Sequence, residues 1–210
     1  MDLLAWGVAA AAAFSVGMAK GGLSMVGAIS VPLMALVMSP VQAAGILLPV
    51  YLLSDIGGLI AFRRDFDRKV LRTLVPGVVA GILLGWATAR YVDDRQVGLI
   101  VGLIGMAFAL NALLRPGPDA AAKPPSHLRG GFWGMVTGYT SFVSHSGAPP
   151  YQVYAQPLRM SPMTYAGTTT IFFFITNMVK LPFYALLGQL SLHNLGYSAA
   201  LAVPAILGVL

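Results

Sequence analysis

The chain has 210 residues, of which 57% are hydrophobic and only 10% charged, and its mean hydropathy is +0.78. Soluble domains carry about 25% charged residues, so a water-facing surface is excluded and lipid is the expected surrounding. The net charge of +6 does not point to nucleic acid, because the basic residues lie between apolar stretches, as in the cytoplasmic loops of membrane proteins.

In chain order, the apolar stretches approach the roughly 20 residues that a spanning helix needs. They cover 3–18, 23–38, 41–62, 70–89, 97–114, 131–143, 163–187 and 195–210. They predict an all-α polytopic membrane protein with about seven to eight membrane segments. No basic stretch precedes the first one, so no signal peptide is expected. Glycines recur every fourth position at Gly77, Gly81 and Gly85, at Gly98 and Gly102, and at Gly130, Gly134 and Gly138. Such stripes let helices approach closely in lipid, either within one chain or across a homodimer.

Lysine and arginine set the expected orientation. Arg63, Arg64, Arg68, Lys69 and Arg72 crowd the loop 63–72, and Arg115, Lys123 and Arg129 lie in the segment 115–129. Both loops are expected on the cytoplasmic side. The loop 90–95, where Asp93 and Asp94 offset Arg90 and Arg95, is expected outside. The Pro/Ala-rich stretch 115–130 reads as a cytoplasmic linker between a first membrane unit, 1–114, and a second, 131–210.

The two units repeat. With a shift of 122, nine of the 36 positions in 24–59 match those in 146–181. The core of the match is Leu36, Met38, Ser39, Pro40, Ala44 and Gly45 against Leu158, Met160, Ser161, Pro162, Ala166 and Gly167. Ser-Pro is a helix-start signal, since Ser caps and Pro suits the first turn. Each half therefore has one plan: helix, glycine-containing break, helix, Ser-Pro restart, long helix. Repeats with broken helices are common in secondary transporters, whose sites lie between the repeats. Parallel and inverted arrangements both remain open at this level: a broken segment that crosses once gives parallel halves, and one that turns back gives inverted halves.

The breaks, 17–24 and 144–150, hold the first candidate site residues: Lys20, Gly21, Gly22 and Ser24, then His145, Ser146 and Gly147. A helix N-terminus at a break offers unpaired N–H groups and a positive dipole end to an anion, and Lys20 adds a full charge. Lys20 has a competing role as a snorkelling residue at a span end. His145 has one as a hydrogen-bonded packing residue. Inside the spans, Asp55 falls opposite Asn177 by the repeat (55 + 122 = 177), and Lys180 follows Asn177 on the same helix face. Ionisable residues within a membrane are costly and usually functional. Lys180 is a candidate partner of an anion or of Asp55, while Asp55 and His145 are candidates for proton coupling. Thr168 and Thr169, with Thr170, offer hydroxyls either to a substrate or to the preceding helical turn. There is no His-Glu-x-x-His, P-loop or Gly-x-Ser-x-Gly motif. No enzymatic activity, metal or cofactor is expected.

Residues across the chain resemble the sulfite exporter TauE/SafE family. In the first half they are Lys20-Gly21-Gly22 and Val31-Pro32-Leu33. In the second they are 144–150 through Gln152, then 167–173, Asn177-Met178-Val179-Lys180-Leu181-Pro182 and Gly188-Gln189-Leu190. The resemblance implies a bacterial inner-membrane permease moving small sulfur-containing anions such as sulfite or an organosulfonate. It also implies a further helix after residue 210, so the second repeat is expected to be C-terminally incomplete. The function expected is secondary transport of a small anion by alternating access. An anion channel and a non-transporting scaffold subunit are the rival readings.

Overall fold

A computed structural model describes residues 2–20, 26–89 and 122–209, with isolated positions between 91 and 110. Eight α-helices cover the described residues and no strand occurs among them: α1 (Leu3–Lys20), α2 (Ser30–Met34), α3 (Pro40–Phe62), α4 (Arg68–Thr88), α5 (His127–Ser144), α6 (Ala148–Ala155), α7 (Pro162–Leu186) and α8 (Leu192–Val209). Five of them, α1, α3, α4, α7 and α8, are long and apolar enough to cross a membrane. Their outer faces expose Leu84, Trp86, Leu186 and Ile206, as lipid contact requires. The expected span 97–114 lies largely outside the described residues. The expected span 23–38 is not one helix. Its described part is a 3₁₀ turn (Val26–Ile29) followed by the five-residue α2.

The helix starts follow local chemistry. Ser39 accepts from the Gln42 N–H at 3.2 Å and Pro40 opens α3. Ser161 accepts from the Thr164 N–H at 3.2 Å and Pro162 opens α7. Asp67 caps α4 through Lys69 and Val70, and Ser126 caps α5 through Arg129. Hydroxyls inside the helices bond back one turn, for example Thr140 to the Val136 carbonyl at 2.9 Å and Thr176 to that of Phe172 at 2.7 Å. In a medium without water, each such group needs a partner within the protein.

Side-chain contacts fix the helix directions. α1 and α8 run side by side in the same sense: the Trp6 and Tyr197 rings meet at 5.4 Å, and further along Gly17 lies against Ala205 and Gly208. α4 and α5 also run in the same sense, from Thr73 bonded to His127 at 3.2 Å, through Gly81 on Met135, to Gly85 on Phe142. α3 and α7 run in opposite senses, with Gly58 against Thr170 and Gly45 against Gln189. By the shift of 122, α7 is the repeat of α3, α5 of α1 and α8 of α4. The contact of α1 with α8 is thus repeated as that of α5 with α4. Equivalent helices that meet antiparallel are related by an axis across the bundle rather than along it, so the repeats are inverted. The second broken segment accordingly turns back: α6 ends beside the start of α5, where the Tyr154 hydroxyl reaches the Ser126 carbonyl at 3.5 Å.

The stripes Gly77/Gly81/Gly85 and Gly130/Gly134/Gly138 pack against each other in the α4–α5 pair. A Cβ on Gly81, Gly134 or Gly138 would overlap a carbonyl oxygen of the facing helix (Met135, Leu74 or Val78). Gly102 has open space around it, and Gly98 lies outside the described residues. Gly17 was expected in the first break. It instead lies within α1, which continues to Lys20.

Candidate functional site

The centre of the molecule is where α3 and α7 cross. Asp55 sits there with no exposed surface, and the Asn177 amide donates to its Oδ2 at 3.2 Å. A residue and its repeat equivalent can touch only near the axis relating the halves, so this bond marks that axis. Lys20, the last residue of α1, brings Nζ to 2.5 Å from Asp55 Oδ1 while its side chain stays 20% exposed. Its ammonium therefore points inward to a carboxylate, and the snorkelling alternative does not describe it. Asp55 lies within α3, between two repeats, rather than at a solvated helix end.

Lys180 takes a different place from the pairing with Asp55. Fully buried, it donates to the Ser141 carbonyl and hydroxyl, both at 3.1 Å, and reaches His145 Nδ1 at 3.0 Å. Among the described residues no carboxylate lies within ion-pair distance of it; Asp55 is taken by Lys20. The physical reason is the turn at the end of α5. His145 adopts a left-handed backbone (φ 53°), which ends α5 and swings the ring across to α3. Histidine is among the non-glycine residues enriched in that region. There His145 Nε2 meets the Ala44 carbonyl at 2.9 Å and the ring stacks on Tyr51 at 4.8 Å. An ammonium only donates and a carbonyl only accepts. Nδ1 is therefore the acceptor from Lys180, and the ring proton on Nε2 goes to Ala44. Both ring nitrogens are used inside the protein.

Tyr51 links the two breaks. Its ring covers His145, and its hydroxyl lies 2.9 Å from the Gly27 carbonyl and 2.7 Å from the Ser30 hydroxyl. Lys20 stands over the same ring, 5.8 Å from its centre. Below, Tyr184 donates to the Phe142 carbonyl and closes the layer with Phe142 at a ring distance of 5.0 Å.

Above this layer lies a cavity of about 570 Å³ between the halves. Lys20, Asp55, Asn177 and His145 form its polar floor, and Phe62, Tyr165 and Phe173 its apolar walls. It extends from the Asp55–Asn177 level toward the end that carries the 63–67 loop. Of the candidate residues, Lys20, His145, Thr169, Asn177 and Asp55 line it. Lys180 stands behind it. Ser146 is buried and donates to the Ser144 carbonyl at 3.3 Å, while Gly147 packs on Ser141 and Thr137. Thr168 is turned away from the cavity: it bonds back to Thr164 and accepts from the Asp67 N–H at 2.9 Å, holding the α3–α4 loop. Thr169 bonds back to Tyr165 at 2.7 Å and also contacts the Tyr151 hydroxyl at 2.9 Å, so it serves both helix and cavity. Gly21, Gly22 and Ser24 lie outside the described residues.

The start of α6 offers fewer backbone donors than expected of a break. Ala148 faces the cavity, but Pro149 and Pro150 follow it and carry no N–H. Sequence reasoning did not select Tyr51 or Ser141. The signal for both was spacing: Tyr51 precedes Asp55 by four residues, and Ser141 precedes His145 by four, which on a helix is the same face.

Inverted helical repeats around a central polar cavity define a polytopic membrane protein of the transporter class. The chain belongs to the sulfite exporter TauE/SafE family, whose profile matches residues 9–210. Members of that family are membrane transporters rather than enzymes. No curated protein and no solved structure matches the chain.

Proposed function

We propose that the chain is a secondary transporter of a small sulfur-containing anion, sulfite or a short organosulfonate, in the bacterial inner membrane. The supporting observation is a cavity at the interface of inverted repeats whose floor presents the Lys20 ammonium. Inverted repeats with a central site suit alternating access, one half rocking against the other. Lys20 is the charged ligand of the anion. Asn177 and the Ala148 N–H are neutral donors within the same cavity, and the Thr169 hydroxyl, whose proton goes to the Tyr165 carbonyl, lines it. Lys180 acts from behind by fixing His145 and Ser141. The loop 63–67 and the start of α5 share one end of the bundle, and their Lys and Arg residues make it the cytoplasmic end. The cavity extends toward that end, the geometry of an inward-facing state.

Counterflow in proteoliposomes tests this reading. Vesicles are loaded with unlabelled sulfite or a short sulfonate, and labelled anion is added outside. A carrier accumulates label transiently, and Lys20→Ala abolishes the accumulation. Flux without counterflow identifies a channel, and absence of anion flux with any of these substrates favours a scaffold subunit.

A further inference from the structure

We propose that Lys20 and Asp55 exchange partners during transport. The anion replaces Asp55 on the Lys20 ammonium, a proton replaces Lys20 on Asp55 Oδ1, and one proton travels with each monovalent anion. This rests on the reading above that Lys20 binds the anion, and deepens it by naming the coupling ion and its site.

The geometry carries the argument. Among the described residues that line the cavity, Lys20 is the one ammonium, and it is already engaged at 2.5 Å by Asp55. An anion reaching Lys20 must compete with a carboxylate. If both negative groups shared that ammonium in a site shielded from water, like-charge repulsion and desolvation would oppose binding. A proton on Asp55 removes the conflict. The two carboxylate oxygens are built differently for this purpose. Oδ2 accepts from Asn177 at 3.2 Å, a bond that a protonated acid keeps through its carbonyl oxygen. Oδ1 has the Lys20 ion pair and, among the described residues, no hydrogen bond besides. Once Lys20 turns to the anion, Oδ1 faces the cavity and takes the proton from water there.

The other titratable groups facing this point are occupied. On the loop after α5, His145 uses both ring nitrogens, on Lys180 and Ala44. On α7, Lys180 is committed to Ser141 and His145. On α3, the Tyr51 hydroxyl is tied to Gly27 and Ser30, and on α6 that of Tyr151 to Thr169. Tyr165, which also has an interaction partner within the protein, lines the far wall. Charge balances: the ammonium and carboxylate sum to zero, and so do the ammonium, the bound anion and the neutral acid. The carrier therefore moves anion and proton without net charge. A pH gradient drives it and a membrane potential does not.

The test uses the full chain in proteoliposomes with methanesulfonate, an anion that stays ionised at every working pH, and a trapped pH dye. Expected for the wild type is uptake driven by an inward proton gradient, with one proton per anion and no response to a potassium-diffusion potential. In Asp55→Asn, proton movement disappears, and the methanesulfonate uptake that remains responds to potential. Potential-driven uptake by the wild type without proton movement overturns the proposal, as does proton movement surviving in Asp55→Asn. Uptake by a folded Asp55→Asn that ignores the potential also overturns it, since the charge is then balanced by another group. A measurement without mutation guards against misfolding: in detergent and weak buffer, methanesulfonate binding to the wild type takes up one proton, and zero uptake refutes the exchange. Absence of wild-type counterflow refutes the transport reading as a whole, which separates the two failures.

Discussion

Replacing Lys20 by Met separates the two things this lysine does, holding Asp55 and presenting charge to the cavity. The change leaves Asp55 fully buried, with Asn177 as its remaining polar partner. Breaking a buried pair by removing one member costs about 3–5 kcal/mol. Lys20 is 20% exposed, so the lower end applies, about 3 kcal/mol. For a chain of this size each kcal/mol moves Tm by about 2–4 °C, so Lys20→Met lowers it by roughly 6–12 °C. The double change Lys20→Met with Asp55→Asn removes both charges, and the new amide oxygen still accepts from Asn177. It recovers most of the lost stability but transports nothing, because the cavity no longer presents an ammonium. Thermal unfolding of the purified variants in detergent, paired with counterflow, reads both effects. If Lys20→Met melts like the wild type, the ion pair does not support the fold. If the stable double variant carries anion, Lys20 is not its ligand.

The cavity can be filled without touching its floor. Gly57 lines it and a Cβ there meets nothing within 4 Å, so Gly57→Trp keeps Tm while cutting counterflow by at least about tenfold; unchanged flux places the route elsewhere. In the α4–α5 contact, Gly81→Leu forces the helices apart and costs about 3 kcal/mol or more. Gly131→Ala, where a Cβ meets nothing within 4 Å, is neutral by the same melting assay, and equal effects of the two would refute the packing argument. Ser39→Ala and Ser161→Ala each remove a helix cap worth about 1 kcal/mol, or about 2–4 °C. Similar losses at the two positions are expected, because they are repeat equivalents.

Local signals in the sequence carried the framework of this protein: lipid-facing composition, Ser-Pro helix starts at 39–40 and 161–162, and glycine stripes spaced for one helix face. The repeat shift also placed Asp55 opposite Asn177, a contact between residues far apart in the chain. What the sequence left open depended on direction and on competition among partners. Parallel and inverted repeats share one amino-acid pattern; the antiparallel crossing of α3 and α7 is a property of the assembled bundle. Lys180 was the candidate partner of Asp55 by sequence, until the folded chain placed the Lys20 ammonium at the carboxylate and Lys180 against Ser141 and His145. The left-handed turn at His145 decided that, because it carries the ring across to Ala44 and gives Lys180 an acceptor of its own. Thr168, read as a site residue, bonds instead to the Thr164 carbonyl and the Asp67 N–H and ties down the α3–α4 loop. A hydroxyl or an ammonium specifies what it can bond to, and only the tertiary structure decides which partner is within reach.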